Sequence, residues 1–401
     1  MTYRLVSYLL IFFACIVFFD CRQTYSPNIL RSNLNYLVVD GILVNGPDST
    51  FISLSRTQNI TDSNFSTKAE TGANMMLLGE YGENFPLTEE SAGKYVVPQL
   101  NLNFNETYQL KIITASGSVY LSDTIPVRQT PPIDSVSWKD NDTSVNIYVT
   151  THDPLNKTWY YRWTYGETWQ YNAISFSQLV YENGTIVTRT PAQNVYNCWS
   201  SDSSTSLLIG TSTGLSSDII YEQPLVVDTL MVNYYPVNIP LLLPGLNQKF
   251  RTEYSIIVYQ YAINQAAYNY WYNLKQTTED LGGLFSSQPS SQVPGNIHNV
   301  ANPNEPVLGY ITASSVQEKR IFINHYDLFR GTAVTPQIGC TEFLVQPDSL
   351  YYYLHYTQLY IPLDSVENVF GQFLGIETAA SYCADCRTNG GVTTKPPYWP
   401  N

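Results

Sequence analysis

Tyr36-Leu-Val-Val-Asp-Gly-Ile-Leu-Val44, Asn45-Gly-Pro-Asp48 and Thr50-Phe-Ile-Ser-Leu-Ser-Arg-Thr57 follow one another in the chain. The first run is rich in β-formers and the second is a turn. The third alternates apolar and polar residues with the period of two that a half-buried strand requires. The same texture continues downstream, predicting strands at Asn74 to Leu78, Gly93 to Val97, Thr107 to Ile113 and Ser118 to Ser122. Gly117 sits between the last two, where a hairpin needs positive φ. So many short strands between 35 and 129 predict an immunoglobulin-like β-sandwich.

Upstream, Arg4 is followed by an apolar run from Leu5 to Phe19 that stops at Asp20-Cys21. A cationic stub, a short apolar stretch and a cysteine at its polar edge predict a lipoprotein export signal over 1–21. Cys15 competes for the processed position because Ala14 precedes it, yet cleavage there leaves Ile-Val-Phe-Phe at the new terminus. Cys21 is the assigned lipid attachment, since residues 22–34 (opening Arg-Gln-Thr-Tyr-Ser-Pro) read as a polar tether. The run is short for an uncleaved span, which needs ~20 apolar residues. Two or more acyl chains on one cysteine give a stable anchor.

Downstream, Thr130-Pro-Pro132 breaks the strand pattern and marks a boundary, so 130–401 is read as a larger β-rich domain. Its predicted strands are Ile133 to Trp138, Val145 to Thr150, Trp159 to Tyr165, Leu207 to Ile209, Leu225 to Val227, Tyr254 to Tyr259, Val307 to Ile311, Arg320 to Asn324 and Leu350 to His355. One stretch differs: Ala267, Trp271, Leu274, Thr278 and Leu281 fall at helical spacing before Gly282-Gly283, predicting one long helix over 265–281. Phe285 to Pro306, rich in Ser, Gln, Asn, Pro and Gly, reads as a long irregular loop. Loops of that length are usually functional or disordered. Asn296, His298 and Asn299 near its middle are assigned as a partner or ligand contact. The tail with Gly390-Gly391 and Lys395-Pro-Pro-Tyr-Trp399 has no regular structure of its own. The expected fold class is therefore mainly β, a sandwich followed by a larger β-rich domain with one long helix.

The net charge is −13, with 33 acidic against 20 basic residues and no basic run. That excludes a phosphate-neutralising patch, so no nucleic-acid partner is expected. The acidity also turns the body away from an anionic membrane surface and leaves the lipid as the anchor. Beyond Cys21, the four cysteines Cys198, Cys340, Cys383 and Cys386 predict two disulfides in an exported protein, with three pairings open. Long-range bonds from Cys198 and Cys340 to the tail pair are favoured over a Cys383–Cys386 ring, because closing a longer loop removes more unfolded-state entropy. A redox pair would want a helix start, and a zinc site a second pair or a nearby histidine.

No P-loop, dinucleotide fingerprint or Gly-x-Ser-x-Gly elbow occurs. His152, His298, His325 and His355 have no second histidine at ligand spacing. Asp140-Asn-Asp142 lacks the Gly and Glu of a calcium loop, and Glu89-Glu90 has no catalytic company. No catalytic residue, metal site or cofactor is assigned. What remains is aromatic: 33 Tyr, 16 Phe and seven Trp. Tyr234-Tyr235, Tyr351 to Tyr353, Trp159 to Trp169 and Trp199 offer stacking platforms or a partner surface, against the plainer reading of core packing.

Tyr25-Ser-Pro27 after Cys21, Tyr36 to Gly41, Leu54-Ser-Arg-Thr57, Tyr160-Tyr-Arg-Trp163, Cys198-Trp199, Gln288-Pro289, Pro294 to Ile297, Pro303 to Tyr310 and Cys383-Ala-Asp-Cys386 before Gly390-Gly391 go together. As a set they resemble the Bacteroidota lipoprotein family catalogued as domain of unknown function four-two-four-nine. The resemblance implies an outer-membrane lipoprotein with no established activity, typically encoded near TonB-dependent transporters. The expected function is a surface-exposed accessory lipoprotein that binds a ligand, small molecule or glycan, or caps an outer-membrane barrel such as a TonB-dependent transporter. The rival readings are a structural subunit of a barrel-insertion or secretion assembly, which a large flat apolar patch would favour, and a glycan-active hydrolase, which needs two carboxyls about 5–10 Å apart.

Overall fold

The structure, a computed structural model, describes residues 35–58, 68–141, 144–229, 231–234, 243–246, 248–279, 295–328 and 340–400. The export segment, Cys21, the tether 22–34, Asp142, Tyr235, the Leu281–Gly283 helix end and the first part of the predicted loop lie outside these residues.

In the N-terminal body Leu37–Gly41 pairs antiparallel with Thr50–Arg56, Val39 standing opposite Leu54. Ile52 and Leu54 point inward while Phe51 points out, as the alternation requires. Asn84–Ser91 turns one sheet into two layers. Its first half pairs with Asn74–Gly79, Leu87 opposite Met75, and its second half with Lys94–Val97, Thr88 opposite Val96. Several tyrosines fill the core between the layers, with their hydroxyls tied off at the rim. Tyr95 donates to the Glu70 carbonyl at 3.0 Å and accepts from the Ala73 amide at 2.9 Å, and Tyr120 donates to Glu305 at 2.7 Å. A buried ring with a satisfied hydroxyl accounts for part of the tyrosine excess. Glu89 is structural too, accepting the Gly72 and Gly93 amides at 2.8 and 2.9 Å.

Residues 35–129 do not complete this body alone, which corrects the division at 130. Ile297–Asn299 is a strand on Val119–Ser122. Ala313–Ser314 lies parallel between Ile125–Arg128 and Leu43–Val44. Between them the chain runs beside the first strand, with Leu308 N donating to Leu37 O at 2.9 Å and Val39 N to Leu308 O at 2.8 Å. Ile297, Val307, Ile311 and Ala313 are buried in the N-terminal core. The described part of the predicted loop is therefore a lining that closes the sandwich. Pro303 sits in a turn closed by the Glu305 amide donating to Asn302 O at 2.9 Å, so the segment folds back onto the body and does not project.

The second body packs a three-stranded sheet (Ile133–Asp140, Ser144–His152, Ile219–Thr229) on a five-stranded one built around Tyr160–Asn172 and Glu253–Ala262. Val145, Ile147 and Val149 meet Tyr161, Trp163, Ile256 and Val258 between them. Trp163 donates to Gln260 at 2.9 Å, and Gln260 donates to Pro131 O at 2.8 Å, so the Thr130-Pro-Pro132 break is bonded into the core. The helix runs Gln265–Thr278, starting where predicted. Asn264 caps it by accepting from Ala267 N at 2.8 Å. It buries Ala267, Tyr270 and Trp271, and Tyr270 Oη accepts the Gly309 amide at 2.9 Å, stitching the helix to the returning segment.

A C-terminal unit holds Phe343–Val345, Phe373–Ala380 and Tyr360–Glu367 side by side in that order. Leu350 to His355, predicted as a strand, falls instead in a π-helical turn over Tyr351–Tyr356 with only Leu354 buried. Aromatic β propensity yields where no partner strand offers alternate burial. Cys198 is bonded to Cys386 and Cys340 to Cys383. Beyond them the tail crosses the five-stranded sheet. Val392 bridges Trp199, Trp399 donates to Gln170 at 3.2 Å, and Arg320 lies 3.7 Å over the Tyr398 ring. Among the described residues no helix is long and apolar enough to cross a membrane.

Candidate binding surface

Of the three residues assigned to the partner loop, two are inward. Asn296 donates to Ile311 O at 2.8 Å and accepts from Ile311 N at 2.9 Å. Asn299 donates to Glu305 at 2.6 Å and accepts from the Ala301 amide at 2.9 Å and that of Asn302 at 3.1 Å. Both amides are spent on holding the returning strand. His298 alone faces solvent, its Nε2 lying 3.1 Å from Asp123 at an open groove with Gln109, Val300 and Pro303. The other histidines are dispersed: His152 sits 2.7 Å from Asp134, His325 packs on Tyr326 and His355 is part of the aromatic turn described below.

Two buried carboxylate clusters lie inside the second body. Glu167 receives Lys249 Nζ at 2.7 Å and the Tyr254 hydroxyl, and Lys249 also reaches Asp228 at 3.1 Å. Burial pushes Glu167 up. Burial also acts to lower Lys249, but Glu167 and Asp228 outweigh it and hold the ammonium above its ordinary value. Asp218 accepts from Tyr161 and Ser212, and burial raises it. Each cluster ties a strand residue to neighbouring strands or connections, and the carboxylate oxygens accept from this chain's own donors.

The surface that is open is aromatic. In the π-helical turn Tyr351, Tyr352 and Tyr356 are 64, 55 and 75% exposed, which makes them surface rather than core. They are nevertheless ordered against one another. Tyr351 stacks on His355 with centroids 4.6 Å apart, and Tyr352 stacks on Tyr356 at 5.7 Å. Tyr181, from the hairpin Leu179–Glu182 and Thr185–Thr188, meets His355 edge-on at 5.9 Å. Tyr353 turns inward, its edge against Phe343 at 5.7 Å and Tyr360 at 5.4 Å, and Leu354 is buried, so the turn is anchored by its own middle. Thr357 ends it by donating to Tyr352 O at 3.0 Å through its amide and to Tyr353 O at 2.8 Å through its hydroxyl. Pre-ordered tyrosines with wet hydroxyls offer contact area at a small further loss of rotamer freedom. The sequence reading singled out Tyr351 to Tyr353 but missed Tyr181 and Tyr356, whose places depend on the fold.

A mainly β chain of stacked sandwich-like sheets with an exposed tyrosine turn is thus defined. The chain belongs to the family described as Domain of unknown function (DUF4249), whose model matches residues 22–320. The tyrosine turn and the Cys340–Cys383 bond lie beyond that match. No curated protein matches the chain. Among solved structures, it is similar to a two-fibronectin-type-III-domain segment of chicken tenascin, at 12% identity over 56% of this chain and 90% of that one, TM-score 0.15. It is also similar to a protein from Bacteroides uniformis described as a candidate carbohydrate binder, at 11% identity over 57% of this chain and 90% of that one, TM-score 0.14.

Proposed function

We propose that this protein is a lipid-anchored accessory protein of the outer membrane that holds an outer-membrane β-barrel, a TonB-dependent transporter, against the tyrosine face of its C-terminal unit. The observation that carries the reading is the ordered, exposed row of Tyr351, Tyr352 and Tyr356 on a unit bonded through Cys340–Cys383. Tyrosine is enriched in the buried centre of protein interfaces, and such a face is uncharged yet wettable. The apolar export run and Cys21 supply the anchor. Residues 22–34 at full extension reach at most about 45 Å, which keeps the body within reach of membrane-embedded partners.

The test combines labelling and recovery. Wild-type protein should incorporate a clickable fatty acid and bring one barrel protein out of native membranes in near-equal amount, while Cys21→Ser should lose the label. A lipidated, folded protein that recovers no barrel above an unrelated lipoprotein sinks the proposal.

A further inference from the structure

The hairpin joining Tyr360–Glu367 to Phe373–Ala380 ends in a tightly bonded turn. Asn368 Oδ1 accepts the amides of Phe370 at 2.9 Å and Gln372 at 3.0 Å, its Nδ2 donates to Gln372 Oε1 at 2.8 Å, and its carbonyl accepts the Gly371 amide at 2.9 Å. Gly371 supplies the left-handed φ of 75°. This rigid turn lifts two apolar side chains into solvent, Val369 at 93% and Phe370 at 85% exposure. Phe373, Leu374 and Leu344 on the adjoining strands are exposed as well. Single exposed apolar residues are ordinary, but an adjacent pair held almost wholly in solvent on a fixed hairpin end marks a contact site.

Charge says what the contact is. Between Arg330 and Arg387 the sequence has no lysine or arginine, against the acids Glu342, Asp348, Asp364, Glu367, Glu377 and Asp385. Asp364 stands directly opposite Glu377 in the strand register, a like-charge pairing that weakens a sheet. Among the described residues neither of them, nor Glu367, has an ion-pair partner; Gln178 donates to Asp364 at 3.3 Å. An anionic bilayer would repel this end, and a second copy, at net −13, carries the same sign.

We infer that the Val369-Phe370 tip docks into an apolar socket on a partner protein whose rim carries lysine or arginine, which the Asp364, Glu367 and Glu377 carboxylates meet. The inference rests on the reading that the C-terminal unit faces a protein partner, and it names that partner's chemistry. Val369 and Phe370 gain burial that the free protein denies them, and the basic rim relieves the unpaired carboxylates and fixes orientation.

The experiment places benzoylphenylalanine at position 370 of the full lipidated chain in cells, with position 81, Tyr81 being 75% exposed on the N-terminal body, as control. The expected result is a crosslink to one protein at about tenfold the control yield, landing on an apolar residue flanked by Lys or Arg. Glu367→Lys/Glu377→Lys should cut that yield about tenfold. Crosslinks to lipid, to a second copy, to a site with an acidic or uncharged rim, or none above control overturn the inference. If position 370 is silent while changes to the tyrosine turn release the barrel, the tip inference fails alone and the proposed function stands.

Discussion

Replacing Cys198 and Cys386 together by alanine is expected to lower the stability of the second body by about 5 kcal/mol, the value the loop-entropy model gives for so long a closure. The two cysteines are 188 residues apart and both fully buried, packed with Tyr171 and Ala173. Beyond the bond the tail is tied by the Val392–Trp199 bridge and by the packing of Tyr398 and Trp399 on the sheet, contacts that the disulfide holds in register. Tyr171 donates to Cys386 O at 3.0 Å, and Cys386 N donates to Val195 O at 2.9 Å. Without the bond the chain from Cys386 to Trp399 should leave the five-stranded sheet and uncover Trp199 and Phe322. Urea unfolding followed by tryptophan fluorescence measures the loss. A change below about 1 kcal/mol, within the range of ordinary surface substitutions and their neighbours, would show that the tail is held by packing alone.

Gly309→Ala is expected to cost about 4 kcal/mol and to open the seam of the N-terminal body. Gly309 has a φ of +123°, and an added Cβ would lie 1.8 Å from the Val39 carbonyl oxygen, a backbone atom that can yield only if the strand moves. Left-handed strain of about 1–2 kcal/mol adds to the loss of seam hydrogen bonds worth about 1 kcal/mol each. Calorimetry should show the transition falling by roughly 10 °C, taking about 2–4 °C per kcal/mol for a body of this size. Gly82→Ala is the control, since Gly82 has a φ of +101° with nothing within 4 Å of its added Cβ. If the two variants melt together, the returning segment does not close the sandwich.

How far the chain could be read in advance depended on whether each signal was local. Thr50–Arg56 was legible because its alternation is the burial itself. The helix start was legible because the spacing of Ala267, Trp271 and Leu274 is itself the buried face, and two of the three are buried. The seam was not. Leu308 lies beside Leu37 and Val39, and a parallel pairing across so long a separation leaves no mark in either segment, while Pro303 and Pro306 read as loop. Cysteine count implied two bonds, but four cysteines admit three pairings, and only the meeting of the tail with Trp199 and of Cys340 with the C-terminal unit selects one. The tyrosine run misled for another reason. Its residues favour strands, yet the only inward anchors are Tyr353 and Leu354, and a helical turn presents those two while leaving their neighbours outside. At the hairpin tip, Val369 and Phe370 carry no local mark of exposure, since an apolar pair reads the same in sequence whether it is buried or lifted into solvent. The absence of lysine and arginine between 330 and 387 was visible all along. It gained meaning only once Asp364 was found opposite Glu377.

The tyrosine face is the centre of the functional account, and one comparison tests it most directly. Barrel protein recovered from native membranes should be quantified for the wild type, for Tyr351→Ser/Tyr352→Ser/Tyr356→Ser and for the exposed control Tyr81→Ser, at matched lipidation and surface level. Interface tyrosines at a buried centre are worth 2 kcal/mol or more each, so the triple change should reduce recovery at least about tenfold while Tyr81→Ser leaves it intact. Equal recovery with all three proteins would contradict the account.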